Sequence, residues 1–301
     1  MEGPEWLEER RKGIGGSDVA AILGISPWKT AFQVYQEKRK EVVDWQGSPV
    51  TDWGTLVEPS LRQWYSNYTG REVFVPNKIL ASAKYPFMLA SPDGLTKDER
   101  VVEAKTSMSS VGWGEPGTGQ IPDYYQVQCQ HYMIVTGFHV TDVPVSIAGG
   151  PPQLYTVNEN PELQQIIIEE CQKFWKRVEE GDPPPLASYS DAVRRYGTSL
   201  GQGRKMATEE IEVVVKEISK IKAERDALAK REEDLSAKVI EFIGDDADVI
   251  TDVHGNALAS YRITKGKVGF KFKKLMAEEP ETYIKYLKTG APSRRLIIKK
   301  E

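Results

Sequence analysis

Cysteine and histidine are scarce in this sequence. Two cysteines, Cys129 and Cys171, cannot build a disulfide framework or a thiolate zinc cluster, and they suit a reducing compartment. The three histidines, His131, His139 and His254, are scattered, which disfavours a histidine-based zinc site or a Ser-His-Asp triad. Cys129 beside His131 reads as core packing rather than a catalytic dyad. No apolar run approaches the roughly 20 residues that a membrane helix needs. The polar start MEGPEWLEERRKG holds no signal-peptide core. The expectation is a cytoplasmic protein with no membrane partner. There is no G-x-x-x-x-G-K-[ST] loop, so P-loop nucleotide hydrolysis is unsupported, and no G-x-S-x-G. Nor is there an excess of positive charge. A net charge of −4 argues against indiscriminate coating of nucleic acid, but not against a nuclease whose acidic site is neutralised by bound metal.

What is present is an ordinary globular composition, 40% hydrophobic and 28% charged over 301 residues. That length suffices for one large domain or a domain with appendages. The stretch with most chemistry is LASPDGLTKDERVVEAK, from Leu89 to Lys105. Strand alternation puts Glu103 and Lys105 on one face, and Asp93 sits one hairpin away in the turn Ser91-Pro92-Asp93-Gly94. Two hard carboxylates suit Mg²⁺, and a lysine can orient or polarise the attacking water. E-x-K occurs in many strands, so the pattern needs company. A third carboxylate, Glu58, lies on a preceding amphipathic helix. A glycine-rich loop over 107–122 and a glutamine-bearing helix follow.

In chain order, the pattern predicts a helix at EWLEERR, a turn at Gly13-Ile14-Gly15-Gly16-Ser17-Asp18, and a helix DVAAILG capped by Ser17 or Asp18. The turn reads either as a plain helix–loop–helix joint or as an anion site with Ser17 and a nearby Arg10 or Arg11. A further helix runs from about Thr30 to Lys40. The helix over 52–70 buries a stripe of Trp53, Leu56, Val57, Leu61, Trp64 and Tyr65. Three strands of an antiparallel meander fill 71–106. The loop over 107–122 can contact substrate or gate the site. A helix spans 123–137, on which Gln126, Gln128 and Gln130 cannot all face inward. Two strands and a helix to about Glu180 follow. These elements give an α+β or α/β sandwich with helices flanking a mixed sheet.

Residues 1–185 form the core, 186–206 a linker, 207–244 a long helix and 245–301 a small α+β tail. On the long helix Val214, Ile221, Leu228, Leu235 and Phe242 recur every seven residues, beside a second seam of Ile211, Ile218, Arg225, Glu232 and Val239, an imperfect coiled-coil pattern. The tail carries twelve Lys/Arg against four Glu from Arg262 onward. It reads as a solvated basic face or as a DNA-facing patch.

Together these residues resemble the YqaJ-type viral recombinase family and, more distantly, the phage lambda-type exonucleases, both of the PD-(D/E)xK nuclease superfamily. The resemblance covers roughly Glu5 to Glu180. It rests on Trp6-x-x-x-Arg10 with Ser17, Trp53-Gly54-x-x-x-Glu58, Ser91-Pro92-Asp93-Gly94, Glu103-x-Lys105, and Tyr125-x-x-Gln128 followed by Met133-Ile134-Val135-Thr136, in order and in register. It implies a restriction-endonuclease-like core with a central mixed sheet flanked by helices. It also implies Mg²⁺-dependent DNA hydrolysis with two ions, for which Mn²⁺ can substitute. Asp93, Glu103, Glu58 and the carbonyl of Ala104 would hold metal, and Lys105 would position the water. Arg10, Ser17, Ser91 and Gln128 match residues that hold a terminal 5′-phosphate, which implies a 5′→3′ exonuclease acting on double-stranded DNA ends. A homo-oligomer, in the family a ring-shaped trimer, and a single-strand annealing protein as partner are also implied, in a bacterial host and from a phage or prophage. The segment from about Leu186 to Glu301 has no counterpart in the smaller lambda-type enzymes. Two other readings stay open: an endonuclease of the same fold, and a DNA-end or partner-binding module with a vestigial nuclease site.

Overall fold

The structure is a computed structural model that describes residues 4–41, 48–199, 203–288, 290 and 293–298. The chain divides into two units, Met1–Arg194 and Arg195–Glu301. The elements of the first are α1 (Pro4–Arg11), β1 (Ile14–Gly15), α2 (Gly16–Ile22), α3 (Ala31–Lys38), α4 (Pro49–Thr69), β2 (Val73–Phe74), β3 (Leu80–Ala81), β4 (Met88–Ala90), β5 (Gly94–Thr96), β6 (Arg100–Val102), β7 (Lys105–Ser107), α5 (Asp123–Thr136), β8 (Val140–Ile147), β9 (Gln153–Asn158) and α6 (Pro161–Glu180), with α7 (Tyr189–Tyr196) leading out of it. It is a mixed α+β fold with mixed sheets flanked by helices.

The helix boundaries follow local chemistry. Thr30 caps α3 in a reciprocal box with Gln33, Ser48 and Pro49 open α4, and Asn160 and Pro161 open α6. Gly70, Gly137 and Gly181 end α4, α5 and α6 with positive φ, the conformation glycine adopts without a Cβ penalty. Along α6 the buried Ile167, Cys171, Phe174 and Val178 recur at helical spacing and pack on the core.

Two sheets make the frame. A small sheet runs β1-β4-β3, with β1 parallel to β4. The larger runs β2-β5-β6-β8, with β9 on the other edge of β8. Strands β6 and β7 both pair with β8 in parallel and in one register, Val102 opposite Asp142 and Lys105 opposite Val145. They are therefore one line of strand broken at Glu103 and Ala104. The break has a cause on β8. Glu103 donates its N–H to the Asp142 carbonyl at 3.0 Å, and the next donor a parallel ladder would offer belongs to Pro144, which has no N–H.

The expected three-strand meander over 71–106 is instead six short strands shared between the two sheets. Pro76, Pro86 and Pro92 interrupt the run, because proline cannot donate to a ladder. Helix α5 is enclosed on both sides. Val127, Tyr132 and Val135 pack with α2, α6 and the small sheet, while Cys129 and Met133 pack on β8 and β9. Both Gln128 and Gln130 are thus buried. On α4 only Leu61 and Tyr65 of the expected stripe are buried, and Trp53 and Leu56 are exposed. The glycine-rich loop is tied to β9, with Gly117 N–H on the Leu154 carbonyl, Thr156 N–H on the Thr118 carbonyl and Tyr155 Oη on the Gly114 carbonyl.

The stretch read as a linker holds α7. Its Asp191 is buried and accepts from Thr30 Oγ1 at 2.9 Å and from the Ala187 N–H at 3.1 Å. The second unit carries the long helix α8 (Glu209–Ile243), capped by Thr208, on which Val214, Ile221, Leu228, Leu235 and Phe242 are exposed. The hairpin β10 (Val249–Thr251) and β11 (Ala257–Ser260) turns at Gly255, where Asp252 gathers the N–H groups of His254 and Asn256. Pro280 splits the expected helix into α9 (Phe272–Glu278) and α10 (Pro280–Lys285). Residues 293–298 form no strand. Arg294 instead donates to the Gly197 carbonyl and to Ser199 Oγ.

Candidate active site

The turn Ser91-Pro92-Asp93 crosses from the small sheet to the large one, since β4 belongs to the first and β5 to the second. Asp93 thereby lands beside the break in the β6–β7 line. Its Oδ2 accepts the Ala104 N–H at 2.8 Å. Strand alternation sends the Ala104 carbonyl to the same edge, away from β8. Gly94 is required at the start of β5, because a Cβ there would run into the Val73 side chain.

Glu103 is 4% exposed. Its Oε1 accepts from Lys105 Nζ at 2.7 Å and from Gln128 Nε2 at 2.6 Å. Its Oε2 is buried and finds no donor among the described residues. Lys105 Nζ also reaches Gln128 Oε1 at 3.1 Å and stands 4.8 Å over the ring of Tyr125. Burial works to lower the Lys105 pKa, but the charges of Glu103 and Asp93 outweigh it and raise it, so the ammonium stays charged. The Asp93 pKa is raised well above the usual carboxylate range, first by burial and then by the charges of Glu103 and Glu58. Glu58 itself receives a hydrogen bond from Arg62, one helical turn along α4. That partner was legible at i+4 spacing and went unread.

Asp93 and Glu103 are hard oxygen donors with one oxygen unsatisfied and mutual repulsion to relieve. These features fit a divalent cation. Among the described residues no three His, Cys, Asp or Glu side chains gather into a ligand cluster. The donor set here is two carboxylates and a carbonyl, with Glu58 nearby and paired to Arg62. Mg²⁺ commonly binds through one or two carboxylates and keeps several waters.

A second group stands beside the first. Arg10 donates to Ser17 Oγ and lies 5.1 Å over the ring of Trp6. Parallel pairing of Gly15 with Leu89 places Ser17 and Ser91 at matching positions, each two residues beyond that pair. Gly16 permits the close approach. A Cβ there would lie 2.5 Å from the Tyr132 ring and 3.1 Å from Gln128 Cγ. The Tyr132 hydroxyl is within 3.1 Å of Gln128 Nε2 and donates to the Ser91 carbonyl at 3.3 Å. All four residues that the resemblance assigns to a terminal phosphate therefore lie around one seam. Gln128 stands on the side of Glu103 and Lys105, with its amide engaged by both.

Asp18 does not cap α2. Gly15 is the cap, and Asp18, three residues on, accepts the Gly15 N–H at 3.1 Å. It is buried against Lys38 at 2.7 Å, Lys29 at 3.6 Å and Arg10 at 3.9 Å. Burial works to raise its pKa, yet the three cations hold it far below the usual carboxylate range. Sequence reading missed this cluster, because nothing in local spacing links Asp18 to a lysine at the far end of the next helix.

Residues 5–139 match the model of the YqaJ-like viral recombinase domain. The uncharacterized protein YqaJ of Bacillus subtilis (strain 168) is 33% identical over 200 residues, 65% of this chain and 62% of that protein. Protein D345L of African swine fever virus (strain Badajoz 1971 Vero-adapted) is 26% identical over 161 residues, 49% of this chain and 45% of that protein. The chain thus spans less than two thirds of the length of either relative. Among solved structures, the alkaline exonuclease LHK-Exo of Laribacter hongkongensis is 20% identical with a TM-score of 0.51, over 60% of this chain and 94% of that one. At that identity the likeness is one of fold alone. No helix among the described residues is long and apolar enough to cross a membrane.

Proposed function

We propose that the chain is a Mg²⁺-dependent exonuclease that degrades one strand of double-stranded DNA from a 5′-phosphorylated end, of the kind used in phage recombination. The observation that carries this reading is the buried Oε2 of Glu103, without a donor among the described residues and held beside Asp93 and Lys105 by the same Gln128 that borders the Arg10–Ser17 seam. Asp93, Glu103 and the Ala104 carbonyl would hold the cation, with Glu58 completing a second position on leaving Arg62. When bound, Mg²⁺ neutralises the carboxylates, makes a bound water more acidic and offsets charge on the scissile phosphate.

The chain's own residues supply the rest. Lys105 stays protonated and, on its Tyr125 ledge, orients the attacking water toward phosphorus. Gln128 fixes both Glu103 and Lys105, so neither swings out of line. Arg10 and Ser17 clamp the terminal phosphate through charge-assisted hydrogen bonds, with Ser91 across the seam. Assembly as a homo-oligomer, a trimer in the manner of the lambda-type enzymes, and work with a single-strand annealing protein inside a bacterial cell complete the proposal.

The test is digestion of linear, nicked and closed-circular duplex DNA, with 5′-phosphate or 5′-hydroxyl ends, in Mg²⁺ or chelator. Loss confined to linear 5′-phosphorylated duplex in Mg²⁺ is expected. Cutting of closed circles would replace the reading with an endonuclease of the same fold. Binding of ends with no cutting in any condition would leave a DNA-end-binding module.

A further inference from the structure

We infer that Trp28 is a stacking platform for the base of the nucleotide at the DNA end. The inference rests on the exonuclease reading above. Trp28 lies in the loop between α2 and α3 and is 67% exposed. A single exposed tryptophan is ordinary on a protein surface. This one is anchored at both ends of the candidate site.

The loop is pinned beneath it, because Ser26 Oγ accepts the N–H groups of Trp28 at 3.2 Å and Lys29 at 3.3 Å. On one side its ring meets Tyr124 edge-on at 4.8 Å, and Tyr124 meets Tyr125 at 4.6 Å. Tyr125 is the ring under Lys105 Nζ. On the other side Lys29, the next residue, stands 3.6 Å from Asp18, the carboxylate that also faces Arg10. Trp28 is therefore carried on the segment that joins the phosphate-holding seam to the cutting centre.

The ligand follows from the chemistry of release. A nucleotide leaving a 5′ end has its own phosphate in the seam and the scissile phosphate at the carboxylates. Its base hangs from the sugar between them. An aromatic face at that position stacks on any base, because every base presents a π-face, and needs no sequence preference. Unstacking of the terminal pair is the step such a contact favours, since stacking on protein replaces stacking in the duplex.

The experiment uses the full chain, a 5′-phosphorylated duplex with 2-aminopurine as its 5′-terminal base, and Ca²⁺ in place of Mg²⁺ to separate binding from cleavage. Wild-type protein should quench the 2-aminopurine. Trp28→Ala should lose the quench and bind about 5- to 150-fold more weakly, the range that one stacked base supplies. Trp28→Phe should keep part of both. An abasic terminal nucleotide should weaken wild-type binding by a similar factor and leave Trp28→Ala unaffected. An undiminished quench in Trp28→Ala, or an abasic penalty as large in that variant as in the wild type, would overturn the platform. So would a changed mass in light scattering, which would assign Trp28 to a contact between protein chains. Failure of the exonuclease reading shows separately, as wild-type protein that does not shorten 5′-phosphorylated ends in Mg²⁺. A wild-type enzyme that shortens them without quenching rejects Trp28 alone.

Discussion

Around Glu103, three carboxylates, Glu58, Asp93 and Glu103, face Lys105 and Arg62. Around Asp18, three cations, Arg10, Lys29 and Lys38, face Asp18 and Glu37. The first group has more negative charge than its partners neutralise, and one carboxylate oxygen is left without a donor among the described residues. The second has more positive charge than its carboxylates neutralise. On the proposed reading the first half takes up a cation and the second an anion, which is what a phosphodiester substrate with a metal cofactor requires. The halves also differ in how they are held. Backbone pairing and a proline-induced strand break position the first. An ion cluster drawn from α1, α2 and α3 around the buried Asp18 positions the second.

The division can be tested by substitutions that should act on one half alone. The largest effect is expected from Lys105→Ala, or from Asp93→Ala. Either should lower kcat on linear duplex by about 10²–10⁴-fold or more, because water positioning and metal binding act in the transition state. Far-ultraviolet circular dichroism should be unchanged. A loss of 5′-phosphate preference with kcat intact would break the division outright.

Next in size is Asp18→Asn, which strips the buried Lys38 of its counter-ion. Removing one partner of a buried pair costs about 3–5 kcal/mol, so thermal unfolding should move down by many degrees. The Asp18 pKa is depressed in the folded chain, so its stabilisation is present above the ordinary aspartate range and fades as pH falls below it. The stability gap between wild type and Asp18→Asn should therefore narrow in acid. An equal gap at all pH values would show that Asp18 acts through shape rather than charge.

Arg10→Ala should come third. Charge-assisted hydrogen bonds contribute about 1.5–3 kcal/mol, so KM for 5′-phosphorylated ends should rise by about 10- to 150-fold. KM for hydroxyl ends should barely move, and equal slowing of both ends would refute the phosphate seam. The smallest and most diagnostic change is Gln128→Ala. Its amide touches Glu103, Lys105 and Tyr132, so it should shift both kcat and KM, each by about 1 kcal/mol or somewhat more. An effect on only one parameter would assign Gln128 to one half.

Much of this was legible in advance. Asp93, Glu103 and Lys105 stand out because acidic and basic residues beside a short apolar strand have no packing role. Glu58, the glutamine-bearing helix and the Arg10–Ser17 turn stand out more weakly, as a third carboxylate, a following element and an optional anion site, and their metal and phosphate roles, with that of Ser91, come only through resemblance to a family. Other features were not legible, for reasons that share a form. The run VVEAK reads as one strand, and its break depends on Pro144, which pairs with it in parallel some 40 residues later. Asp18 reads as a helix cap, and its partner Lys38 arrives only when α3 packs on α2. The glutamines of α5 resist assignment by helical period, because a helix enclosed on both sides has no outward face. Trp53 and Leu56 show the converse, an apolar stripe that nothing covers in the described residues.

By itself, then, the sequence determined which side chains are candidates for the chemistry and which short elements bear them. Those properties follow from residue type and from spacing within a turn or two. Only the tertiary structure decided that Asp93 meets Ala104 across a broken strand, that Gln128 locks Glu103 to Lys105, and that Trp28 stands between the acidic and basic halves. Each of those contacts joins residues distant in the chain. Its existence depends on strand pairing and helix packing, which are decided by burial of the whole core rather than by any local preference.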